Sequence, residues 1–242
     1  MKKILIIRFS SIGDIVLTTP VIRCIKKQVE NAEIHYITKD IYKSILEANP
    51  FIDKLYTINE SIWELYSLLK KEKYNYIIDL HRNIRSCTLI ALLVRRFSTF
   101  NKLNLRKFIY VKFKINLLPD LHIVDRYFNA VKCLNVYNDN DGLDFFINKN
   151  KMIDLQTLPD IYHNGYIGFV IGSKHNTKKL PTHKIIEVCK RLDEPVILLG
   201  GREDYETGEI IKQAVGNKIF NSCGLFDIAS SASIISQAKK II

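Results

Sequence analysis

Ile4-Leu-Ile-Ile-Arg-Phe-Ser-Ser-Ile-Gly-Asp-Ile-Val-Leu-Thr-Thr-Pro20 predicts a buried strand, a tight loop and the start of a helix. The four apolar residues Ile4 to Ile7 are typical of a strand buried on both faces of a sheet. Two serines and Gly13 then favour a tight loop, and a helical pattern begins near Ile15. In open α/β sheets, ligands bind at the carboxyl ends of strands, where such loops meet helix N-termini. We therefore expect this loop to face a ligand.

Asp14 lies at the end of this loop, and two roles are open to it. A carboxylate at a strand end can act as a catalytic base. It can equally cap the helix that follows by accepting backbone N–H bonds, which favour the charged form and lower the pKa. The residues alone leave both roles open.

Residues 1–135 alternate predicted strands with predicted helices. The strands are 3–9, 33–38, 54–58 and 75–80, and the helices lie near 14–30, 40–48, 61–73, 83–96 and 122–135. Residues 98–116 are less regular, and we expect them to be extended. Strands that alternate with helices of about 10–15 residues indicate a parallel sheet with right-handed crossovers.

The composition changes over residues 137–164, where Asn, Asp, Lys and Pro surround one strand-like piece at 143–147. This change indicates an interdomain linker. The alternation then restarts, with strands at 166–171, 196–199 and 239–242 and helices at 181–192, 204–215 and 227–238. We predict an α/β protein with two Rossmann-like domains facing a cleft: residues 1–148, a linker at 149–164, and an incomplete second domain at 165–242.

Composition limits the classes of protein that the chain can be. No run of 18 apolar residues exists, and the N-terminus lacks the cleavage site of a signal peptide. The five cysteines are scattered, without a C-x-x-C pair, which is typical of reduced thiols and not of a disulfide framework or a zinc site. We therefore expect a cytoplasmic protein.

The chain is basic, with 36 Lys and Arg against 25 Asp and Glu and a formal net charge of +11. This excess favours an anionic partner, although a lysine-rich surface without a specific role is the alternative. Basic residues are dense over 82–114, and aromatic residues are interspersed among them. That pattern suits single-stranded nucleic acid or anionic lipid headgroups, or simply a helix and two strands with solvated lysines.

Six segments together resemble glycosyltransferase family 9, the ADP-heptose:lipopolysaccharide heptosyltransferases. They occur in family order: R-F-S-S-I-G-D within 4–20, D-L-H-R-N-I-R-S at 79–86, H-I-V-D-R at 122–126, I-G-S-K-H-N-T-K-K-L-P at 171–181, L-L-G-G-R-E at 198–203 and S-C-G-L at 222–225. The resemblance implies a GT-B arrangement, with an acceptor-binding domain followed by a nucleotide-sugar-binding domain. It implies inverting transfer of a heptose, or a related sugar, from an ADP-sugar to a lipopolysaccharide core-type acceptor. Neither a metal ion nor a cofactor is implied.

The resemblance also implies roles for individual residues. Asp14 matches the general base, and Lys178 matches the lysine that stabilises charge on the leaving diphosphate, with Lys179 as a close competitor. Leu180 stands where the family's K-x-W-P element has Trp. The expected donor-binding residues are Gly13, Ser173, Lys179 and Glu203, with Asp204 as the alternative to Glu203. The expected acceptor-binding residues are Ser11, His81, Arg82, Arg85, His122 and Arg126.

The resemblance departs from the family at the C-terminus. Family members continue into a D-T-G-x-x-H element that holds the donor diphosphate, whereas the sequence ends at Ile242. The alternative function is therefore a truncated, non-catalytic module that binds anionic glycolipid or a partner protein. Nucleic acid is not an expected partner, because the Ser-Ser-Ile-Gly-Asp loop would have no role in binding it. For the transferase we expect peripheral contact with the inner face of the membrane.

Overall fold

The computed structural model describes residues 2–59, 61–173 and 175–242, and the chain divides into two compact units, Met1–Phe146 and Ile147–Ile242. Each unit has its own parallel sheet and its own buried core. Lys174, inside the 171–181 segment, lies outside the described residues. Within the described ranges no helix has the length and apolar character needed to cross a bilayer.

The first unit is built on a five-stranded parallel sheet with the order β3-β2-β1-β4-β5. Its strands are β1 (Lys2–Ile7), β2 (Ala32–Lys39), β3 (Lys54–Ile58), β4 (Tyr76–Asp79) and β5 (Phe97–Thr99). Ile4 of β1 pairs with Ile34 on one side and Tyr76 on the other. This central position explains the apolar run, because β1 is covered on both faces and bordered by strands on both edges.

The helices of the first unit are α1 (Ile12–Val16), α2 (Thr19–Gln28), α3 (Trp63–Glu72), α4 (Ile84–Leu93), α5 (Asn104–Phe113) and α6 (Ile123–Phe128). The helix predicted at 14–30 is in fact α1 and α2, because Pro20 favours a new helix start near Thr19. A 3₁₀ helix, Asp40–Ile45, replaces the helix predicted at 40–48. The expectation of extended chain over 98–116 is wrong for α5, whose side chains are nearly all exposed and therefore leave no buried face to give a clear period.

The second unit has a four-stranded parallel sheet with the order β8-β7-β6-β9. Its strands are β6 (Ile167–Val170), β7 (Val196–Leu199), β8 (Ile219–Asn221) and β9 (Lys240–Ile241), and its helices are α7 (Thr182–Arg191), α8 (Tyr205–Val215) and α9 (Ile228–Gln237). The sequence did not predict β8, whose three residues are too few to show a period. With two parallel sheets flanked by helices, the α/β fold class is confirmed.

Residues 149–164 do not form the predicted linker. They belong to the second unit, where they form three short 3₁₀ helices. Leu158 and Tyr162 are buried in one core cluster with Tyr166 and Ile234. The polar composition misled the prediction because a few apolar side chains suffice to attach an irregular segment to a core. The strand-like piece at 143–147 is not paired in either sheet.

Candidate functional site

Asp14 lies on α1, which begins directly after β1 and its loop. Ser11 is the N-cap of this helix, and Asp14 occupies the third helical position. Its Oδ2 accepts hydrogen bonds from the Ser11 amide at 3.3 Å and the Ser11 hydroxyl at 2.9 Å. The N-cap role that the sequence left open for Asp14 therefore belongs to Ser11, and Asp14 is the third-position partner of Ser11 in a reciprocal capping box. The side chain of Asp14 is nevertheless 40% exposed.

Arg8 determines the charge state of Asp14. Its Nη2 lies 2.7 Å from Oδ2 of Asp14. Partial burial alone would raise the pKa of Asp14, but the Arg8 charge and the Ser11 hydrogen bonds outweigh it, so the pKa is lowered. The three contacts with Arg8 and Ser11 all end on Oδ2. Asp14 is therefore an ionised carboxylate whose Oδ1 remains to accept a proton.

Arg8 itself is buried and held from several sides. Its Nε donates to the Ser10 carbonyl at 2.7 Å, Nη1 donates to the Leu80 carbonyl, and the guanidinium lies 5.8 Å from the ring centroid of Tyr127. Arg8 lies within the first of the six motifs, and no role was predicted for it. The position of a charged residue directly after an apolar strand could have indicated such a role, because an arginine buried there requires a partner.

Asp79, at the end of β4, shapes the neighbouring loop. This buried carboxylate accepts hydrogen bonds from the backbone amides of His81 and Arg82, both at 2.8 Å, and from the Ser86 hydroxyl at 2.7 Å. Arg82 has a φ of 51°, a left-handed conformation that these bonds help to hold. Asp79 thus positions the loop that carries two of the predicted acceptor-binding residues.

His81 lies against the ring of Phe9, with centroids 5.1 Å apart. Burial, followed by the positive charges of Arg8 and Lys102, lowers the pKa of His81 to about 4. Its Nδ1 is buried and has no hydrogen-bond partner among the residues described. His81 is therefore a neutral imidazole at neutral pH, with a ring nitrogen left for another group.

This low pKa predicts a pH-dependent stability. Between about pH 6.5 and about pH 4 the unfolded chain binds a proton at His81 that the folded chain does not, so stability falls as the pH falls. The measurement is the melting temperature at a series of pH values from 4 to 7.5. We expect it to fall less steeply with pH in His81→Gln, because unfolding then takes up as much as one proton fewer. His183→Gln, at an exposed histidine, is the control and should leave the slope unchanged. Equal slopes in wild type and His81→Gln would contradict the prediction.

Arg82 and Arg126 meet at the loop after β5. Nη1 of Arg82 donates to the Phe100 carbonyl at 3.2 Å, and Nη2 of Arg126 donates to the Asn101 carbonyl. The guanidinium of Arg126 lies 5.8 Å from the ring centroid of Phe100, and its Nε is buried without a partner in the described ranges. Lys102 follows in the same loop, where burial and then the charges of Arg8 and Arg82 lower its pKa. These basic groups form one cluster, which suits a carboxylate or phosphate.

The other predicted acceptor-binding residues are less closely tied to this cluster. His122 is the N-cap of α6, and its Nδ1 accepts a hydrogen bond from the Val124 amide at 3.3 Å. Arg85 is exposed on the first turn of α4, and Ser11 is exposed on the loop with Asp14. Gly13, which was predicted to bind the donor, is exposed on the same loop. Lys102, in the cluster, and Arg8, beside Asp14, are basic residues for which the sequence predicted no role in binding.

In the second unit, the loops after β6 and β7 surround the buried carboxylate of Asp204. Its Oδ2 accepts the Gly201 amide at 3.0 Å, and its Oδ1 is paired with Nζ of Lys179. A Cβ on Gly172 would lie 2.3 Å from Oδ2 of Asp204, so only glycine fits there. Asp204 and Lys179 therefore neutralise each other and hold these loops together.

The remaining predicted donor-binding residues are available to a ligand. Lys178 and Glu203 are exposed, and Ser173 is half-buried. The structure thus distinguishes Lys178 from Lys179 and Glu203 from Asp204: among the residues described, Lys179 and Asp204 pair with each other, whereas Lys178 and Glu203 have no such contact.

One cluster of the first unit has the composition of a metal site. Atoms of Glu33, His35 and Glu72 lie within 4.8 Å of one another. Lys3 and Lys54 already pair with Glu72, at 2.6 and 2.7 Å, and Nε2 of His35 donates to Oε1 of Glu33 at 2.9 Å. Because two lysine ammonium groups already contact the Glu72 carboxylate, binding of a metal cation there is disfavoured. The cluster lies near the amino ends of β1 and β2, away from Asp14, and acts as a polar network.

A family model described as glycosyltransferase family 9 (heptosyltransferase) matches residues 62–242. Lipopolysaccharide heptosyltransferase 1 of Campylobacter coli is 29% identical over 204 residues, which cover 78% of this chain. The chain spans about 60% of the length of that relative. The family match begins after the Arg8–Asp14 loop, so the role of that loop rests on its geometry.

Solved structures of the same kind share the fold. A glycosyl transferase family 9 protein from Veillonella parvula has a TM-score of 0.81 at 22% identity, over 99% of this chain and 75% of that one. ADP-heptose lipopolysaccharide heptosyltransferase II of E. coli has a TM-score of 0.73 at 19% identity, over 100% and 78%. E. coli heptosyltransferase WaaC with ADP has a TM-score of 0.73 at 16% identity, over 99% and 80%. The expected GT-B fold class is confirmed.

Proposed function

The chain belongs to glycosyltransferase family 9, and from that membership we propose that it transfers a heptose, or a related sugar, from an ADP-sugar to a lipopolysaccharide core-type acceptor with inversion of configuration. One observation carries the proposal. Asp14 is a partly exposed carboxylate with a lowered pKa, fixed by Arg8 and Ser11 at the carboxyl end of the central strand. Two relatives named lipopolysaccharide heptosyltransferases and a heptosyltransferase solved with ADP support the choice of donor and acceptor.

In the proposed reaction, Asp14 is the general base. An acceptor hydroxyl attacks the anomeric carbon of the donor, and its proton passes to Oδ1 of Asp14. The bond between the anomeric carbon and the β-phosphate oxygen breaks, and the electron pair leaves with ADP. Because the hydroxyl becomes acidic only as the new bond forms, a carboxylate that is a weak base before reaction can accept the proton at that stage. The capping box and Arg8 hold the carboxylate in place.

On the donor side, Lys178 is proposed to stabilise the negative charge that develops on the leaving diphosphate. Its exposure leaves the ammonium available to a phosphate, whereas Lys179 is paired with Asp204. Gly13, Ser173 and Glu203 are proposed as further donor contacts. Lys179 then supports the donor loops through Asp204.

On the acceptor side, the basic cluster of the first unit is proposed to bind the anionic groups of the acceptor. Arg82, Arg126 and Lys102 supply the charge, and neutral His81 offers an unpartnered ring nitrogen. Ser11, Arg85 and His122 are proposed as outer contacts. Because such an acceptor is carried on a lipid, peripheral contact with the inner membrane face is part of the proposal.

The test is to incubate the full chain with ADP-heptose and a Kdo-containing lipid A acceptor, following the acceptor by mass spectrometry and the release of ADP. We expect one heptose added to the acceptor for each ADP released. Release of ADP without a glycosylated acceptor would mean hydrolysis. Acceptor binding without either product would favour the alternative, a non-catalytic module that binds anionic glycolipid or a partner protein.

The two adjacent lysines provide a matched prediction. Lys178→Ala is expected to lower kcat by about 10²-fold, the usual cost of one lost charge-stabilising donor, with the free energy of unfolding unchanged. Lys179→Ala is expected to lower the free energy of unfolding by about 1–3 kcal/mol, because Asp204 stays buried without its cation. Initial rates and urea unfolding of both variants check this. The opposite assignment, with Lys179→Ala selectively losing kcat, would give the leaving-group role to Lys179.

A further inference from the structure

Helix α5 presents apolar side chains that the first unit does not cover. None of its residues is buried. Leu105 is 72% exposed and Val111 is 69% exposed, and Phe108 and Phe113 are also exposed. The pattern continues past the helix, where Ile115 and Leu117 are exposed. An apolar surface of this extent marks an interaction site.

The same segment carries only positive charge. From Phe97 to Pro119 the sequence contains no Asp or Glu, while Arg106, Lys107, Lys112 and Lys114 lie on or directly beside α5. Nζ of Lys112 lies 5.5 Å from the ring centroid of Phe108 and 5.7 Å from that of Phe113. Apolar and cationic groups are therefore mixed on one exposed helix, and a complementary partner must be both apolar and anionic.

Two classes of partner, a nucleic acid and a lipid surface, meet part of this requirement. Single-stranded nucleic acid binds by stacking bases on free aromatic faces, but Lys112 lies over the rings of both Phe108 and Phe113. Leu105 and Val111, the two most exposed of the large apolar side chains on the helix, cannot stack with bases. An anionic lipid surface accepts both features, because aliphatic side chains enter the headgroup–acyl boundary while basic side chains contact headgroups.

We propose that α5 and the segment 115–117 form a docking surface for an anionic lipid bilayer. The helix lies in the interface, with its aliphatic side chains entering the lipid and its lysines at the headgroups.

The loop before α5 connects this surface to the basic cluster. A pocket of about 400 Å³ is lined by Arg82, Lys102 and Arg106, together with neighbouring residues of 101–105. Arg82 belongs to the proposed acceptor site, and Arg106 belongs to α5. An anionic headgroup displayed by the bilayer would thus reach the acceptor site through this pocket. This inference rests on the proposed function, because a lipid-borne acceptor is what gives the protein a reason to dock on a bilayer.

The experiment is sedimentation of the full chain with vesicles of phosphatidylglycerol and phosphatidylethanolamine, or of phosphatidylcholine alone, without donor or acceptor. We expect binding to the anionic vesicles that weakens with added NaCl, and little binding to phosphatidylcholine. The double variant Leu105→Ser/Val111→Ser should lower the affinity about tenfold or more. The matched control Ile41→Ser/Ile84→Ser also removes two exposed aliphatic side chains, 69% and 87% exposed, and should bind like wild type.

The proposal is overturned if wild type does not bind the anionic vesicles, or if the α5 variant and the control variant bind equally. Selective binding of a single-stranded oligouridine, lost in the α5 variant, in place of vesicle binding would reassign the surface to nucleic acid. Equal melting temperatures verify that both variants fold. Sugar transfer is measured separately on a deacylated acceptor in the absence of vesicles. Transfer without docking overturns only this inference, and docking without transfer overturns only the proposed function.

Discussion

Asp14→Asn is expected to lower kcat for sugar transfer by about 10²- to 10⁴-fold, the range for loss of a general base. Asparagine has nearly the same shape and keeps an oxygen that can accept the Ser11 amide and hydroxyl, so the capping box is retained. It cannot take a proton from the attacking hydroxyl. The measurement is the initial rate of ADP release in the presence of saturating acceptor.

Two controls separate this loss from a loss of folding. Arg8 keeps its hydrogen bonds to the Ser10 and Leu80 carbonyls in the Asp14→Asn variant, so we expect a cooperative melting transition, at a somewhat lower temperature than in wild type because buried Arg8 loses its charged partner. Asp160→Asn, at a fully exposed carboxylate of the second unit, should leave kcat unchanged. An unchanged kcat in Asp14→Asn would remove Asp14 from the chemistry and leave it as a capping residue.

Arg23→Met is expected to lower the free energy of unfolding by about 3–5 kcal/mol, the usual cost of removing one partner of a buried ion pair. The side chain of Arg23 on α2 is 3% exposed. It donates to Asp139 from Nε at 2.9 Å and from Nη2 at 2.7 Å, and it also pairs with Asp144. Methionine fills part of the volume but leaves two carboxylates close together without their cation. Urea unfolding monitored by circular dichroism measures the difference.

Lys27→Met is the matched control, because Lys27 lies on the same helix and reaches the same Asp139 at 3.5 Å while 49% exposed. An exposed pair is expected to contribute at most about 1 kcal/mol. Equal losses in the two variants would contradict the central role of Arg23.

The dependence of stability on acidic pH provides a second measurement. The hydrogen bonds from Arg23 hold the pKa of Asp139 well below its usual range, so its stabilising contribution is present above the unfolded pKa and is lost as the pH falls. This loss should be smaller in Arg23→Met.

The backbone around the proposed base could be predicted from the sequence because its determinants are local. The apolar run at 4–7 can be buried only as a central strand, and the serines and Gly13 after it require a turn. The pairing of Arg8 with Asp14 could not be predicted in the same way. It depends on the Leu80 carbonyl and the Tyr127 ring, which are distant in sequence and meet only in the folded unit.

The same distinction explains what the sequence could not decide elsewhere. Glu203 and Asp204 are equivalent in sequence, but only the packing of Gly172 against Asp204 shows which carboxylate is buried. The segment 149–164 has the composition of a linker, and its attachment to the core becomes visible only when Tyr162 meets Tyr166 and Phe220. Helix α5 of the first unit was not predicted because it has no buried face. Its sequence therefore lacks the periodic apolar pattern by which a packed helix is recognised.

In the proposed mechanism, this chain transfers a sugar by a single displacement in which Asp14 takes the proton. The most direct measurement is the anomeric configuration of the transferred sugar, determined by NMR on the product that the full chain forms from an ADP-sugar of defined configuration. We expect a product with the configuration opposite to that of the donor, because the hydroxyl attacks from the side away from the leaving diphosphate. A product that retains the donor configuration, or the absence of any transferred sugar, would contradict it.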